Sequence, residues 1–432
     1  METTLAIGVL TALVVILVAT ALFGRLALMI GQPRVFGEMA AGVVLGPSVA
    51  GALLPATQQL FPDDVRSVLY VLSVIGLTFF MFLVGCGINH DHVDRGTVRG
   101  SIAIASGGLL LPMALGALTA VVFFDELAVP GSDTVAFTMF LGGALSVTAF
   151  PMLARILRER GIQDTRIGTL ITMAAAIDDA VAWTLLALVI ALGAAGATSS
   201  AVVAVAGLAG LTLVMLTAVR RALGVLARNT ERRGHLEPGG MVVILLVVLA
   251  SGSVSELVGV HAIFGGFLAG LAIPRSTVLR AQIQSRLGDM SSLLLLPVFF
   301  AFSGLNTQLG TLIDVSLLLP TAVILAVAFA GKYLGCGLAV RGLGMSWRHA
   351  SAVGGLMNAR GLIILIFINV GLAHGLVTPQ LFSILVVVAV VTTAAAMPIY
   401  RVSFPTWLEN VELTASGPGG APDPATTPTR RA

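Results

Sequence analysis

Charge is what this sequence has least of. Asp, Glu, Lys and Arg make up 10% of its 432 residues, against 57% hydrophobic residues. A soluble domain carries about a quarter of its residues as charge, so that class is excluded. Cysteine is scarce as well. Cys86 and Cys336 lie in or beside apolar runs, which excludes a disulfide framework. No basic residue precedes the first apolar run after METTLAIG, so a retained first helix is expected rather than a cleaved leader. A glycine-rich nucleotide fingerprint is absent. The basic excess is spread over short loops, so neither nucleic acid, a nucleotide-binding regulatory domain nor any cofactor is expected. Lysine is nearly missing: of 24 basic residues only Lys332 is a lysine.

What remains is apolar sequence rich in glycine, with 49 residues, which suits helices packed closely in lipid. Hydropathy gives an all-α polytopic membrane protein of thirteen spans. Their approximate limits are 3–24, 35–55, 67–88, 100–124, 134–154, 168–194, 200–219, 239–256, 257–274, 290–305, 313–337, 349–373 and 379–400. With the N-terminus outside and the C-terminus cytoplasmic, every basic residue except Arg66, Lys332 and Arg360 falls on the inside. Asp63, Asp64, Asp125, Glu126 and Asp133 fall outside, the asymmetry that orients membrane proteins. The division is a membrane domain over 1–403 and, over 404–432, a cytoplasmic tail of Pro, Gly, Ala and Thr that is expected to be disordered.

Two adjacent acids, Asp178 and Asp179, sit inside TLITMAAAIDDAVAWTLLALVIALGAAG, which holds no other charge. A carboxylate at bilayer depth costs roughly 2.5–3.5 kcal/mol on insertion scales and usually marks an ion path or proton relay. Lys332 lies in a second apolar run, LLPTAVILAVAFAGKYLGCGLAV. Arginine does not release its proton, whereas a desolvated lysine does. A lone membrane lysine among arginines therefore fits a group that pairs with an aspartate and loses a proton when the pair opens.

The sequence also repeats. Ala41-Gly42 leading to Pro47 matches Ala269-Gly270 leading to Pro274, and Phe79-Phe80-Met81-Phe82 with Gly85 matches Phe299-Phe300-Ala301-Phe302 with Gly304. The offsets, 228 and 220 residues, correspond to seven spans. An odd number turns the second copy over, giving inverted repeats at about 35–194 and 257–400. The fifth and twelfth spans then correspond, and both are interrupted. The fifth holds Ser146, Thr148 and Pro151, and the twelfth holds Asn358, Arg360 and Gly361. Paired broken helices point to a midplane site. Pro151 is expected to remove a helix hydrogen bond and free a carbonyl, and Arg360 to neutralise exposed helix ends or carboxylates.

PRVFGEMAAGVVLGPS (33–48), SVTAFPMLARIL (146–157), AAAIDDAVAW (174–183), HAIFGGFLAGLAIP (261–274), LLLLPVFFAFSGLNT (293–307), the Lys332 region and NARGL (358–362) occur in order. In these motifs the chain resembles the second cation:proton antiporter group, which includes bacterial sodium/proton and potassium/proton exchangers and plant cation/proton exchangers. The resemblance implies a sodium/proton antiporter-like fold with two crossed broken helices, a core that moves against a dimer-forming panel, and exchange of Na⁺ or K⁺ for protons. It implies that Asp179 binds the cation and the proton as the metal ligand, with Asp178 paired to Lys332. Thr148 and Ser146 would line the site. Two acids common in such relatives are missing, with Gly87 and Ile364 in their places. An exporter of a small organic ion and a non-transporting membrane sensor are the rival readings of the same residues.

Lesser candidates are Glu38, either a helix-end partner for Arg34 or a site residue; His261, expected to be structural; and Trp183, expected to pack. His90 and His92 with Asp91 and Asp94 are expected to form a solvated loop.

Overall fold

The computed structural model describes residues 2–47, 49–53, 59–88, 94–193, 198–305, 317–361, 364, 367–368, 371–372 and 376–415. These residues form helices and no strand. Among them nine helical runs are long and apolar enough to cross a membrane. The other expected spans fall on shorter helices, such as Ala262–Ala272, or on segments only partly described. His90, Asp91 and His92 and residues 416–432 lie outside the described residues, as does the side chain of Trp183.

The first helix, α1 (Glu2–Met29), turns Ile7, Leu10, Val14 and Val18 outward, each more than half exposed. A soluble protein would bury that row; a lipid-facing helix does not need to. Arg34–Leu45 (α2), Asp63–Gly87 (α3) and Arg95–Val122 (α4) follow. Asp94 caps α4 by accepting from the Thr97 amide at 2.6 Å, and that hydrogen bond holds its carboxyl below the usual carboxylate range.

The fifth hydrophobic stretch is two helices, α5 (Thr134–Ser146) and α6 (Phe150–Glu159). Beyond them α7 (Arg166–Gly193) carries the acid pair. The next, α8 (Thr198–Val214), runs on through a π-turn at Met215–Val219 to Arg233. Then come α9 (Pro238–Leu257), α10 (Ala262–Ala272) and α11 (Thr277–Met290), which leads through a second π-turn into α12 (Leu296–Leu305). The last four are α13 (Leu318–Gly342), α14 (Trp347–Leu356), α15 (Pro379–Ser403) and α16 (Thr406–Ala415).

Packing repeats between the two halves. α2 packs on α12 while α3 packs on α10, so each half contributes one partner to each pair. The glycines picked out by the sequence repeat make these contacts: Gly42 meets Gly304, and Gly85 meets Gly270, backbone to backbone. The central pair, α4 and α13, closes on Gly107 against Gly335. Around it, α4 packs on α5 and α7 as α13 packs on α14 and α15. Small residues let helices approach this closely in a solvent that gives them no hydrophobic drive to associate.

A side chain at Gly270 would run into the Phe82 carbonyl, whereas one at Gly210 would meet nothing within 4 Å. Gly270→Leu should therefore destabilise by about 1–3 kcal/mol or more through overpacking. Gly210→Ala, in the open part of α8, should be neutral or stabilising. Thermal melts of the two variants in detergent check this pair directly. A Gly270→Leu melting temperature equal to wild type would break the close-contact assignment.

Three expectations are corrected. Glu38 pairs with Arg155 at 3.6 Å, not with Arg34, whose backbone amide instead donates to Glu159 at 3.0 Å. Pro151 removes no helical hydrogen bond: the break at 147–149 precedes it, and it sits in the first turn of α6, where its missing N–H would have had no partner anyway. The ordered chain also continues past residue 404, where a structureless tail was expected to begin. Glu409 on α16 is buried and meets Arg160 at 2.5 Å and the Tyr400 hydroxyl at 2.8 Å.

Candidate functional site

Two helix breaks meet at the centre of the site. Between α5 and α6, Val147 and Ala149 have extended backbones. After α14, the chain leaves the helix at Met357–Asn358 and reaches Gly361 in a left-handed conformation, φ 56°. The Ala149 amide donates to the Ala359 carbonyl at 3.0 Å, and the Thr148 hydroxyl to the Met357 carbonyl at 3.1 Å. The two chains therefore cross at the positions their polar interruptions mark. Each break leaves backbone groups without helical partners, and the crossing lets them partly satisfy one another.

Positive charge gathers on the C-terminal end of α5. Arg360 donates to the Ala144 and Val147 carbonyls at 3.2 and 3.3 Å, and to Ala328 of α13 at 2.9 Å. Of the two roles expected for Arg360, the hydrogen bonds place it on helix ends, where a cation meets the negative pole of the helix dipole. One turn along α13 from Ala328, the Lys332 ammonium donates to the Ser146 carbonyl. It also donates to Asp178 Oδ2 at 2.6 Å, and neither side chain is exposed.

Asp179 follows on α7, about 100° further round the helix. It is fully buried, and among the described residues neither of its carboxylate oxygens has a hydrogen-bond partner. Asp178 Oδ1 and Asn358 Oδ1 are likewise buried without partners. Buried carboxylate oxygens without a donor are costly unless a proton or a cation neutralises them. The arrangement thus has one carboxylate tied to a cation and one left open.

Ser146 enters the site through its backbone. Its hydroxyl turns back to the Gly142 and Leu109 carbonyls at 2.7 and 3.0 Å. Thr393 of α15 was not anticipated. Its hydroxyl accepts from the Arg360 and Gly361 amides at 3.2 and 3.0 Å and holds the second break in place. Only a hydroxyl pair inside AVVTTAAAM marked it in the sequence. His261 caps α10 and lies 3.6 Å from Glu256, a structural position. Gly87 ends α3, and Ile364 is buried.

A family model described as sodium/hydrogen exchanger, transmembrane, matches residues 12–399. The chain belongs to this family. As a sodium/hydrogen exchanger family member it is 37% identical over 407 residues to the Na(+)/H(+) antiporter NhaS4 of Synechocystis, covering 94% of this chain and 99% of that one. Cation/H(+) antiporter 15 of Arabidopsis thaliana is 35% identical over 393 residues, which cover 91% of this chain. K(+)/H(+) antiporter 1 of Saccharomyces cerevisiae is 29% identical over 403 residues, 90% of this chain. The family member spans about half the length of these plant and yeast relatives, 47% and 46%. Its fold is that of the sodium proton antiporter MjNhaP1 from Methanocaldococcus jannaschii, with a TM-score of 0.64 at 16% identity over 95% of this chain and 98% of that one.

Proposed function

We propose that this protein is a secondary active antiporter that exchanges a monovalent cation, Na⁺ or K⁺, for protons at Asp179 and Asp178. The observation that carries this reading is the Asp179 carboxylate, buried and without a hydrogen-bond partner among the described residues, beside the Asp178–Lys332 pair. A site of this kind has to hold something positive. Either a proton or a cation satisfies it, and both cannot do so together. If the helices around it change sides only when the carboxylate is neutralised, the two fluxes are coupled.

In this mechanism the crossed breaks supply backbone carbonyls and the Thr148 region at mid-membrane. Arg360 fixes the end of α5 so that the acids face a constant geometry. Cation binding at Asp179 draws on Asp178, loosens its pairing with Lys332 and leaves a buried ammonium that sheds its proton. Alternating access then exposes the same acids to each side in turn, with α4 to α7 and α13 to α15 moving as a core. Thirteen spans, an outside N-terminus, a cytoplasmic C-terminus and a homodimer built on the remaining helices belong to the same proposal. Antiporters among the relatives support the activity.

The test is proton movement in proteoliposomes on addition of Na⁺, K⁺ or choline in turn. Dissipation of a pH gradient by an alkali cation and not by choline is the expected result. No response to any alkali cation would exclude antiport, and a response to choline would favour the organic-ion reading.

A further inference from the structure

We infer that an anionic phospholipid seats between α7 and α8, with an acyl chain in an apolar cavity and its headgroup on the arginines at the basic end of α8. Two adjoining spaces carry the inference. The first, of about 380 Å³, lies between Met173 and Ile177 of α7, Leu208 of α8, and Phe267 and Leu271 of α10. Its polar side chains are Thr212, whose hydroxyl is spent on the Leu208 carbonyl at 2.7 Å, and Arg220. A hydrated cation finds nothing there to replace its water, whereas a hydrocarbon chain fits such walls.

Leu216, in the π-turn, and Arg220 are shared with a second groove of about 690 Å³. There Arg221, Arg228 and Arg275 join Arg220, and among the described residues no acidic side chain lines either space. A slot for a chain that opens onto arginines alone matches one molecule with an apolar tail and an anionic head, drawn from the leaflet on the arginine side. Neither a soluble anion nor an apolar partner uses both halves. The chain would lie against the turn of α7 just before Asp178 and Asp179, so the occupant would touch the helix that carries the acids.

The inference does not depend on antiport, because its readout is binding. The full-length protein is equilibrated in nanodiscs of equal phosphatidylglycerol and phosphatidylcholine, released, and weighed by native mass spectrometry. Wild type should retain phosphatidylglycerol in preference. Arg220→Gln, Arg221→Gln and Arg228→Gln should each lower retention roughly fivefold, the weight of one basic residue near an anionic surface. Thr212→Trp, which fills the apolar cavity with every arginine in place, should abolish it. Glycerol 3-phosphate should not compete. Equal retention of both lipids by wild type, or undiminished retention by Arg221→Gln and Thr212→Trp, would overturn the site. Displacement by glycerol 3-phosphate would also overturn it, by reducing it to an anion site without a chain. Arg221 is exposed, so its variant folds even where combined changes do not.

Discussion

Asp179→Asn is expected to abolish cation-driven proton flux while leaving the protein folded. The substitution keeps the shape of the side chain and removes its charge. Asp179 is buried and its carboxylate oxygens have no hydrogen-bond partner among the described residues, so the ionised form is expensive unless a cation accompanies it. A neutral amide costs less to bury, and the melting temperature should hold or rise. Loss of transport with unchanged or higher stability is an unusual combination. It separates a functional acid from one that holds helices together, since removal of a structural acid lowers both. Exchange above roughly a tenth of the wild-type rate, measured in proteoliposomes, would remove Asp179 as the ligand.

The second large effect concerns Lys332. Its pair with Asp178 at 2.6 Å is wholly buried. A pair of this kind is weak evidence for stability, because desolvation rivals the attraction, but breaking it by removing one partner costs about 3–5 kcal/mol. Lys332→Gln leaves the Asp178 carboxylate and the Ser146 carbonyl without their ammonium, so a large drop in melting temperature is expected. Lys332→Arg retains a cation that does not release its proton. It should preserve the fold and lose the voltage dependence of exchange, or change its stoichiometry. Exchange at clamped potential distinguishes these outcomes. Identical voltage dependence in wild type and Lys332→Arg would reduce Lys332 to a counter-ion.

These residues were legible in the sequence because lipid makes polar groups conspicuous. Two acids in a long apolar run and the only lysine in the chain stand out without any knowledge of their contacts. The crossing was legible for the same reason. Ser146–Pro151 and Asn358–Gly361 interrupt apolar helices at corresponding places, and the Ala149–Ala359 hydrogen bond joins them. Less was readable where the answer depends on which way a helix is turned. The Ser146 hydroxyl points back into its own helix, so the residue contributes a carbonyl instead. Thr393 holds the second break from a helix whose sequence gives no reason to turn that face inward. Pairing with Arg34 was one of two roles open to Glu38 from the sequence, but its partner Arg155 comes from the middle of α6, brought there by folding. Pro151 was read as removing a hydrogen bond from its helix, and its actual place, in the first turn after the break, depends on a chain path that hydropathy does not encode.

Competition between cation and proton for one buried carboxylate is the centre of the mechanism, and the pH dependence of the cation KM tests it most directly. Initial exchange rates in proteoliposomes are measured against cation concentration at several pH values. If protons and cations take the same site, the apparent KM should rise about tenfold or more for each unit of acidification below the pKa of the site, with the limiting rate little changed. A KM that stays constant across pH while the limiting rate falls would contradict a shared site, and would place the proton and the cation on separate groups.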